Sequence, residues 1–305
     1  MFKTFLFLIG LFQNLFLFAQ QDLIQNIKSR KTYSLNGKWQ YIIDPLETGY
    51  YNYRREMRNE NDREAYWNSD QPVNKTDRLE HKFIDKYSLN VPGDWNSQNP
   101  ELLYYEGTVW YKKIFDYKKS NSGNRMFLHF GAVNYRADVF LNGKFLGYHK
   151  GGFTPFNFEL NDSLLKEKGN DLVVKVDNRR YVDEIPTINS DWWNYGGITR
   201  DVNIIEVPSN FISDYFIHLK KGKNNIIEGW VKTSGKGESE NVVIEIPELN
   251  IKKNVSVRIN TQTSFTIQVK NIKLWSPELP KLYGVKLYSS TDKIEDKIGF
   301  RTIST

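Results

Sequence analysis

Apolar residues along this chain gather in short blocks divided by Gly, Asn, Asp, Ser and Pro, and they almost never recur at helical spacing. A turn at Leu35-Asn36-Gly37 opens into the aromatic run ending at Ile43. Val109–Phe115, Arg125–Phe130, Ala137–Leu141, Lys144–Tyr148, Leu172–Val176 and Val202–Ile205 follow, each alternating or continuously apolar, as strands do. Asn142-Gly143 joins two of these blocks as a hairpin, because both residues accept the positive φ that a type I′ turn demands. Gly151-Gly152 reads as a tight turn between strands. The one helical candidate is the stretch 163–168. Strands and turns without alternating helices predict an all-β fold, a sandwich, and argue against a parallel α/β sheet.

Two stretches break this texture. Residues 46–90 are crowded with Arg, Asn, Asp and Glu, carry Tyr50, Tyr51, Tyr53 and Trp67, and follow no period. They predict a long surface insertion with at most one short helix, and insertions of that length are commonly functional or mobile. Beyond the connector Val207-Pro208-Ser209-Asn210 the chain becomes richer in Lys, Val and Ile. Six strands are expected there, over 214–219, 226–233, 242–246, 254–259, 265–269 and 283–288, which fits a small immunoglobulin-like sandwich. No internal repeat or low-complexity tract interrupts either part.

Composition narrows the chemistry. The 305 residues suffice for about two domains, and an aromatic content of 15% excludes general disorder. The chain has 0 cysteines, which removes disulfides, thiolate metal sites and cysteine nucleophiles together. The 4 histidines are scattered, with no pair at ligand spacing, so no metal is expected. No phosphate loop, dinucleotide fingerprint or Gly-x-Ser-x-Gly elbow occurs, and no cofactor is expected either. The net charge of +6 is spread along the chain without a basic run, which argues against nucleic acid as a partner. At the start, Lys3 precedes an apolar run from Phe5 to Phe18 and a small residue, Ala19. This pattern predicts a signal peptide over 1–19, hence an exported protein, periplasmic or secreted. The apolar run falls short of the roughly 20 residues that span a bilayer, so no membrane span is expected.

Carboxylates alone single out no catalytic pair. Glu106, Asp138, Asp183, Glu184 and Asp191 each read first as surface or turn groups. The segment that stands apart is Asp191-Trp192-Trp193-Asn194-Tyr195-Gly196-Gly197, just before a strand. Aromatic faces pack on the apolar side of a sugar ring while carboxylate and amide groups hydrogen-bond its hydroxyls, which makes this a candidate sugar site; Trp192 or Trp193 can equally belong to the core.

That segment resembles the signature of the glycoside hydrolase family 2 enzymes, the β-glucuronidases, β-galactosidases and β-mannosidases. Other landmarks fall in the family's order: Leu35 to Trp39, Val91-Pro92-Gly93-Asp94-Trp95-Asn96, Glu106-Gly107-Thr108-Val109-Trp110-Tyr111, Val139 to Gly143, His149 to Phe156, Leu274 to Tyr283 and Gly299 to Ile303. The resemblance implies a jelly-roll, galactose-binding-like β-sandwich over 30–206 and an immunoglobulin-like β-sandwich over 207–303. It implies Asp191 as the residue reaching the terminal sugar; Asn194 and Tyr195 match the motif too and are expected to shape the loop more than to touch the sugar, while they and Trp192 stay on the list of substrate-binding candidates. In this family the Gly-Phe-Arg-Thr-Ile landmark precedes a TIM barrel holding both catalytic carboxylates. The 305 residues end at that landmark, so no catalytic residue is expected within them and the chain is expected to be inactive alone. Thr108 departs from the galactosidase-like pattern, and the Asp191 and His149 landmarks look closer to the β-glucuronidases. A free-standing carbohydrate-binding module and a structural β-sandwich protein remain the alternatives.

Overall fold

The computed structural model describes residues 23–68 and 82–302. The expected signal peptide therefore lies outside the described residues, as does 69–81 of the insertion. Ten strands build the first sandwich: β1 (Lys31–Ser34), β2 (Gly37–Ile43), β3 (Ser88–Val91), β4 (Thr108–Phe115), β5 (Arg125–Phe130), β6 (Arg136–Leu141), β7 (Lys144–Lys150), β8 (Phe156–Leu160), β9 (Asn170–Asp177) and β10 (Val202–Val207). They form a six-stranded sheet, β3-β2-β4-β9-β6-β7, facing a four-stranded one, β1-β10-β5-β8. Every pairing within them is antiparallel. Alternate residues point between the sheets, so Val109, Tyr111, Val139, Leu172, Val174 and Val176 meet Leu128, Phe130, Ile204 and Trp39 in one core.

The second sandwich has seven strands, β11 (Phe211–Leu219), β12 (Ile226–Ser234), β13 (Ser239–Ile246), β14 (Ile251–Arg258), β15 (Gln262–Gln268), β16 (Tyr283–Tyr288) and β17 (Lys293–Ile298). Sheets β11-β12-β15 and β14-β13-β16-β17 enclose a core of Ile and Val. Here burial alternates residue by residue, as along β12, because one face of each sheet meets solvent. The architecture is all-β, a jelly roll followed by an immunoglobulin-like sandwich. At the joint, Arg30 on the N-terminal segment donates to the Ile212 carbonyl and to Asp292 (3.2 Å). Phe127, Ile205, Val207 and Phe211 pack beneath it.

The insertion differs from its expected form. Its described parts contain turns and no helix, and they are not merely a surface loop. Tyr50, Ala65, Tyr66, Trp67 and Phe83 cover the outer face of the six-stranded sheet, packing on Trp110, Phe140 and Val173. Trp67 stacks on Phe140 with ring centroids 4.3 Å apart. Asp44 pins the turn by accepting from the backbone N–H groups of Thr48 and Gly49 and from the Trp110 indole. This third layer explains why β4, β6 and β9 are buried on both faces.

Polar residues on that outer face are consequently buried. Asp138, expected at the surface, is completely buried and takes a two-pronged contact from Arg136. Lys175 on β9 meets Glu47 of the insertion at 2.9 Å, and Arg179 meets it at 3.0 Å. Buried charges persist only when paired, and this network pairs them. The expected helix at 163–168 is a turn, with Leu164 N–H bonded to the Asn161 carbonyl. Among the described residues no helix is long and apolar enough to cross a membrane.

Candidate functional site

Strand β9 runs out at Asp177 into Asn178-Arg179-Arg180, and the chain then loops through 181–195 before returning to the sheet. Gly196 and Gly197 make the return possible. Gly196 lies against the Trp95 indole so closely that a Cβ would sit 2.1 Å from the ring, and Gly197 has φ +140°, which side chains disfavour. Backbone bonds close the junction: Gly197 exchanges two with Asn134, Trp95 N–H donates to the Gly196 carbonyl, and Gly93 N–H to the Ile198 carbonyl. The Asn96 side chain accepts from Gly196 N–H at 2.9 Å. The Asp94-Trp95-Asn96 and Gly196-Gly197 landmarks thus fit each other directly.

Three buried asparagines brace the loop's far end. The Asn194 side chain donates to the Asn178 carbonyl, and the Asn178 side chain donates back to the Asn194 carbonyl at 2.7 Å. Asn134 donates to Asn194 Oδ1 at 3.0 Å and to the Tyr195 carbonyl. Asn178 also accepts from Gly107 N–H at 2.8 Å, tying in the loop before β4. Asn194 is buried, with its amide donating to the Asn178 carbonyl and accepting from Asn134, so the structure places it as a brace of the loop and not on the exposed face beside Asp191.

The other candidates face outward. Trp192 is 59% exposed, Trp193 45% and Tyr195 48%, so neither indole belongs to the core; Trp39, Trp67, Trp95 and Trp110 fill that role. Trp193 rests against Tyr104 (centroids 5.2 Å apart) and lies 6.3 Å from Tyr195, which makes a row of open aromatic faces. Asp191 is exposed beside them and has no hydrogen-bond or ion-pair partner among the described residues. A free carboxylate next to open rings can accept hydroxyl donors while the rings take the apolar side of a sugar.

Charges around the loop's base are ordered. Burial works to raise the Asp177 carboxyl pKa, but Arg179, through its guanidinium and backbone N–H, and Lys175 outweigh it and hold the group below the usual carboxylate range. Burial lowers the pKa of His149, which stacks on Phe156 with centroids 4.4 Å apart and sits 3.0 Å from the Thr154 hydroxyl. Glu106 pairs with Arg180, and Glu184 with Lys150. Tyr104, Asn134, Asn178 and Arg180 were not singled out from sequence. Only Asn178-Arg179-Arg180 carried a signal, three polar residues directly after a β-block.

The fold is that of a two-sandwich β-protein with an open aromatic and carboxylate face on its first sandwich. The chain belongs to glycoside hydrolase family 2: residues 32–208 match the family's sugar binding domain and 210–301 match the family 2 domain that follows it. A β-glucuronidase of Paenibacillus borealis is 26% identical over 94% of this chain and 47% of its own length. A β-galactosidase of Thermoanaerobacter pseudethanolicus is 30% identical over 65% of this chain and 29% of its own. Among solved structures, the Bifidobacterium dentium β-glucuronidase complexed with coumarin-3-O-glucuronide superposes with a TM-score of 0.71 at 24% identity, covering 91% of this chain and 49% of that one. The chain thus spans about half or less of the length of these relatives.

Proposed function

We propose that this chain supplies the substrate-facing, non-catalytic part of an exported retaining β-glycosidase, with β-glucuronides as preferred substrates and β-galactosides next. The observation that carries the reading is the Asp191 carboxylate, without a partner among the described residues and presented beside open indole and phenol faces by a loop fixed at both ends. In this role Asp191 accepts hydrogen bonds from hydroxyls of the terminal sugar, and Trp192, Trp193 and Tyr195 offer faces to its C–H side. Acid/base and nucleophile carboxylates are assigned to sequence outside these residues, in line with the greater length of the relatives. The glucuronide preference rests on the names of the relatives and on the Asp191 and His149 landmarks, and export rests on the pattern of residues 1–19.

Hydrolysis of p-nitrophenyl β-D-glucuronide by the enzyme carrying this chain tests the reading. Removing a charged hydrogen bond costs about 1.5–3 kcal/mol, so Asp191→Ala should lower kcat/KM by about 10- to 150-fold. Wild-type kcat/KM in that variant would overturn the role of Asp191. Turnover by residues 20–305 alone would overturn the assignment of the catalytic carboxylates, and faster cleavage of the β-galactoside would reverse the preference.

A further inference from the structure

Arg180 stands three residues past the end of β9, and its side chain is 17% exposed. Its guanidinium grips Glu106 in a fork, with Nε 3.0 Å and 3.2 Å from the two carboxylate oxygens and Nη2 2.9 Å from Oε1. The remaining donors point the other way. Nη1 donates to the Ser190 carbonyl and Nη2 donates to the Trp192 carbonyl at 2.8 Å. Those are the two residues on either side of Asp191.

Nothing else among the described residues hydrogen-bonds residues 190–192 to the sandwich. Ser190 N–H bonds only within the loop, to the Thr187 carbonyl, and the asparagine brace acts further along, at Asn194. The braced residues Asn178 and Asn194 are 16 apart in sequence. The ties of Tyr181 to Asp177 and Glu184 to Lys150 lie earlier in the loop, so without a hold at 190–192 this stretch would sample many conformations, each placing the Asp191 carboxylate elsewhere. The fork removes that freedom at the one place where the carboxylate is presented. Only a planar cation with five donors can serve a carboxylate and two separate carbonyls at once, which excludes lysine from the task.

We propose that Arg180, oriented by Glu106, is a positioning residue for Asp191: it fixes the backbone on each side of that carboxylate and so sets where it meets the sugar. The proposal rests on Asp191 being a sugar contact. Glu106 belongs to the loop before β4 and Arg180 to the exit of β9, strands that are paired along their whole length, from Thr108 with Asp177 to Phe115 with Asn170. The fork therefore transfers the geometry of the sheet to the site.

Two measurements test it. Backbone ¹⁵N order parameters on the 305-residue chain should lie near about 0.85 at Ser190–Trp193 and fall below about 0.6 in Arg180→Gln. Arg180→Lys, which keeps the charge, should unfold like wild type yet show the same fall, and Glu106→Gln a smaller one. In the enzyme carrying this chain, Arg180→Gln should lower kcat/KM for p-nitrophenyl β-D-glucuronide at least tenfold, but by less than twofold when Asp191 is already alanine. Unchanged order parameters in Arg180→Gln, rescue by lysine, or losses that multiply in the double variant would each overturn the proposal. If Asp191→Ala alone costs nothing while the order parameters still fall, the error lies in the sugar-contact reading, and the positioning role falls with it.

Discussion

Asn194→Ala separates a buried brace from a sugar contact. In the native chain the Asn194 amide donates to the Asn178 carbonyl and accepts from Asn134 at 3.0 Å, all within a site closed to water. Alanine removes both bonds. Asn134 keeps the Tyr195 carbonyl as a partner, but the Asn178 carbonyl loses its donor. A lost hydrogen bond costs about 1 kcal/mol net and a stranded buried acceptor about 1–3 kcal/mol, so the first sandwich should lose about 2–4 kcal/mol of stability. Asn194→Asp should be worse, because it turns a buried carboxylate toward that same carbonyl. Urea unfolding followed by tryptophan fluorescence reports on this domain, whose core holds Trp39, Trp95 and Trp110. Asp191→Ala is the control: an exposed side chain without a partner should shift stability by no more than about 0.5 kcal/mol. A loss below about 1 kcal/mol for Asn194→Ala, or an equal loss for Asp191→Ala, would refute the brace. So would sugar affinity lost at unchanged stability, which would make Asn194 a sugar contact and not a brace.

Two further outcomes concern the scaffold. Burial works to raise the pKa of Glu206, but donors from Ser120, Asn124 and Tyr117 overcome it and bring the carboxyl down to about 2 from 4.5. A depressed carboxyl stabilises the fold above its unfolded pKa and loses that contribution as pH falls through the folded value; Glu206→Gln should thus cost about 3 kcal/mol at pH 7, with the gap to wild type closing between pH 4.5 and 2. Paired urea titrations across that range measure it, and a gap independent of pH would contradict the assignment. Trp67→Ala should destabilise the first sandwich by about 3–5 kcal/mol, because the ring is buried between the insertion and Phe140. Proteolysis within residues 46–68 at wild-type rate in that variant would show that the insertion does not depend on this contact.

The strands most legible in the sequence were those whose partners lie on one recognisable face. β5, β16 and the hairpin of β6 with β7 follow their apolar blocks closely. β1 is exposed along its length and β17 is mostly charged, so neither gives an apolar signature. The insertion was misread for another reason. Its rings are ordered by Trp110, Phe140 and Val173, residues far along the chain that no local pattern connects to Tyr50 or Trp67. Asp138 failed in the same way, since an alternating strand places it outward without revealing that a third layer covers it. At the candidate site, residue types singled out the loop, but chemistry alone could not divide it. Asn194 and Asp191 are equally polar in sequence, and only the positions of Asn134 and Asn178 make one structural and leave the other free.

The two holds on the site loop also divide it by tolerance to change. Arg180 and the asparagines fix 190–195, whereas 181–189 hangs outside both anchors, tied to the body mainly by Lys150 with Glu184 and by Tyr181 with Asp177. That outer stretch also exposes Val182, Ile185 and Ile188. Insertions or deletions there would lengthen or shorten the rim of the site without displacing its carboxylate. A change of length within 181–189 should therefore alter what surrounds the Asp191 carboxylate while leaving the hold on residues 190–195 intact.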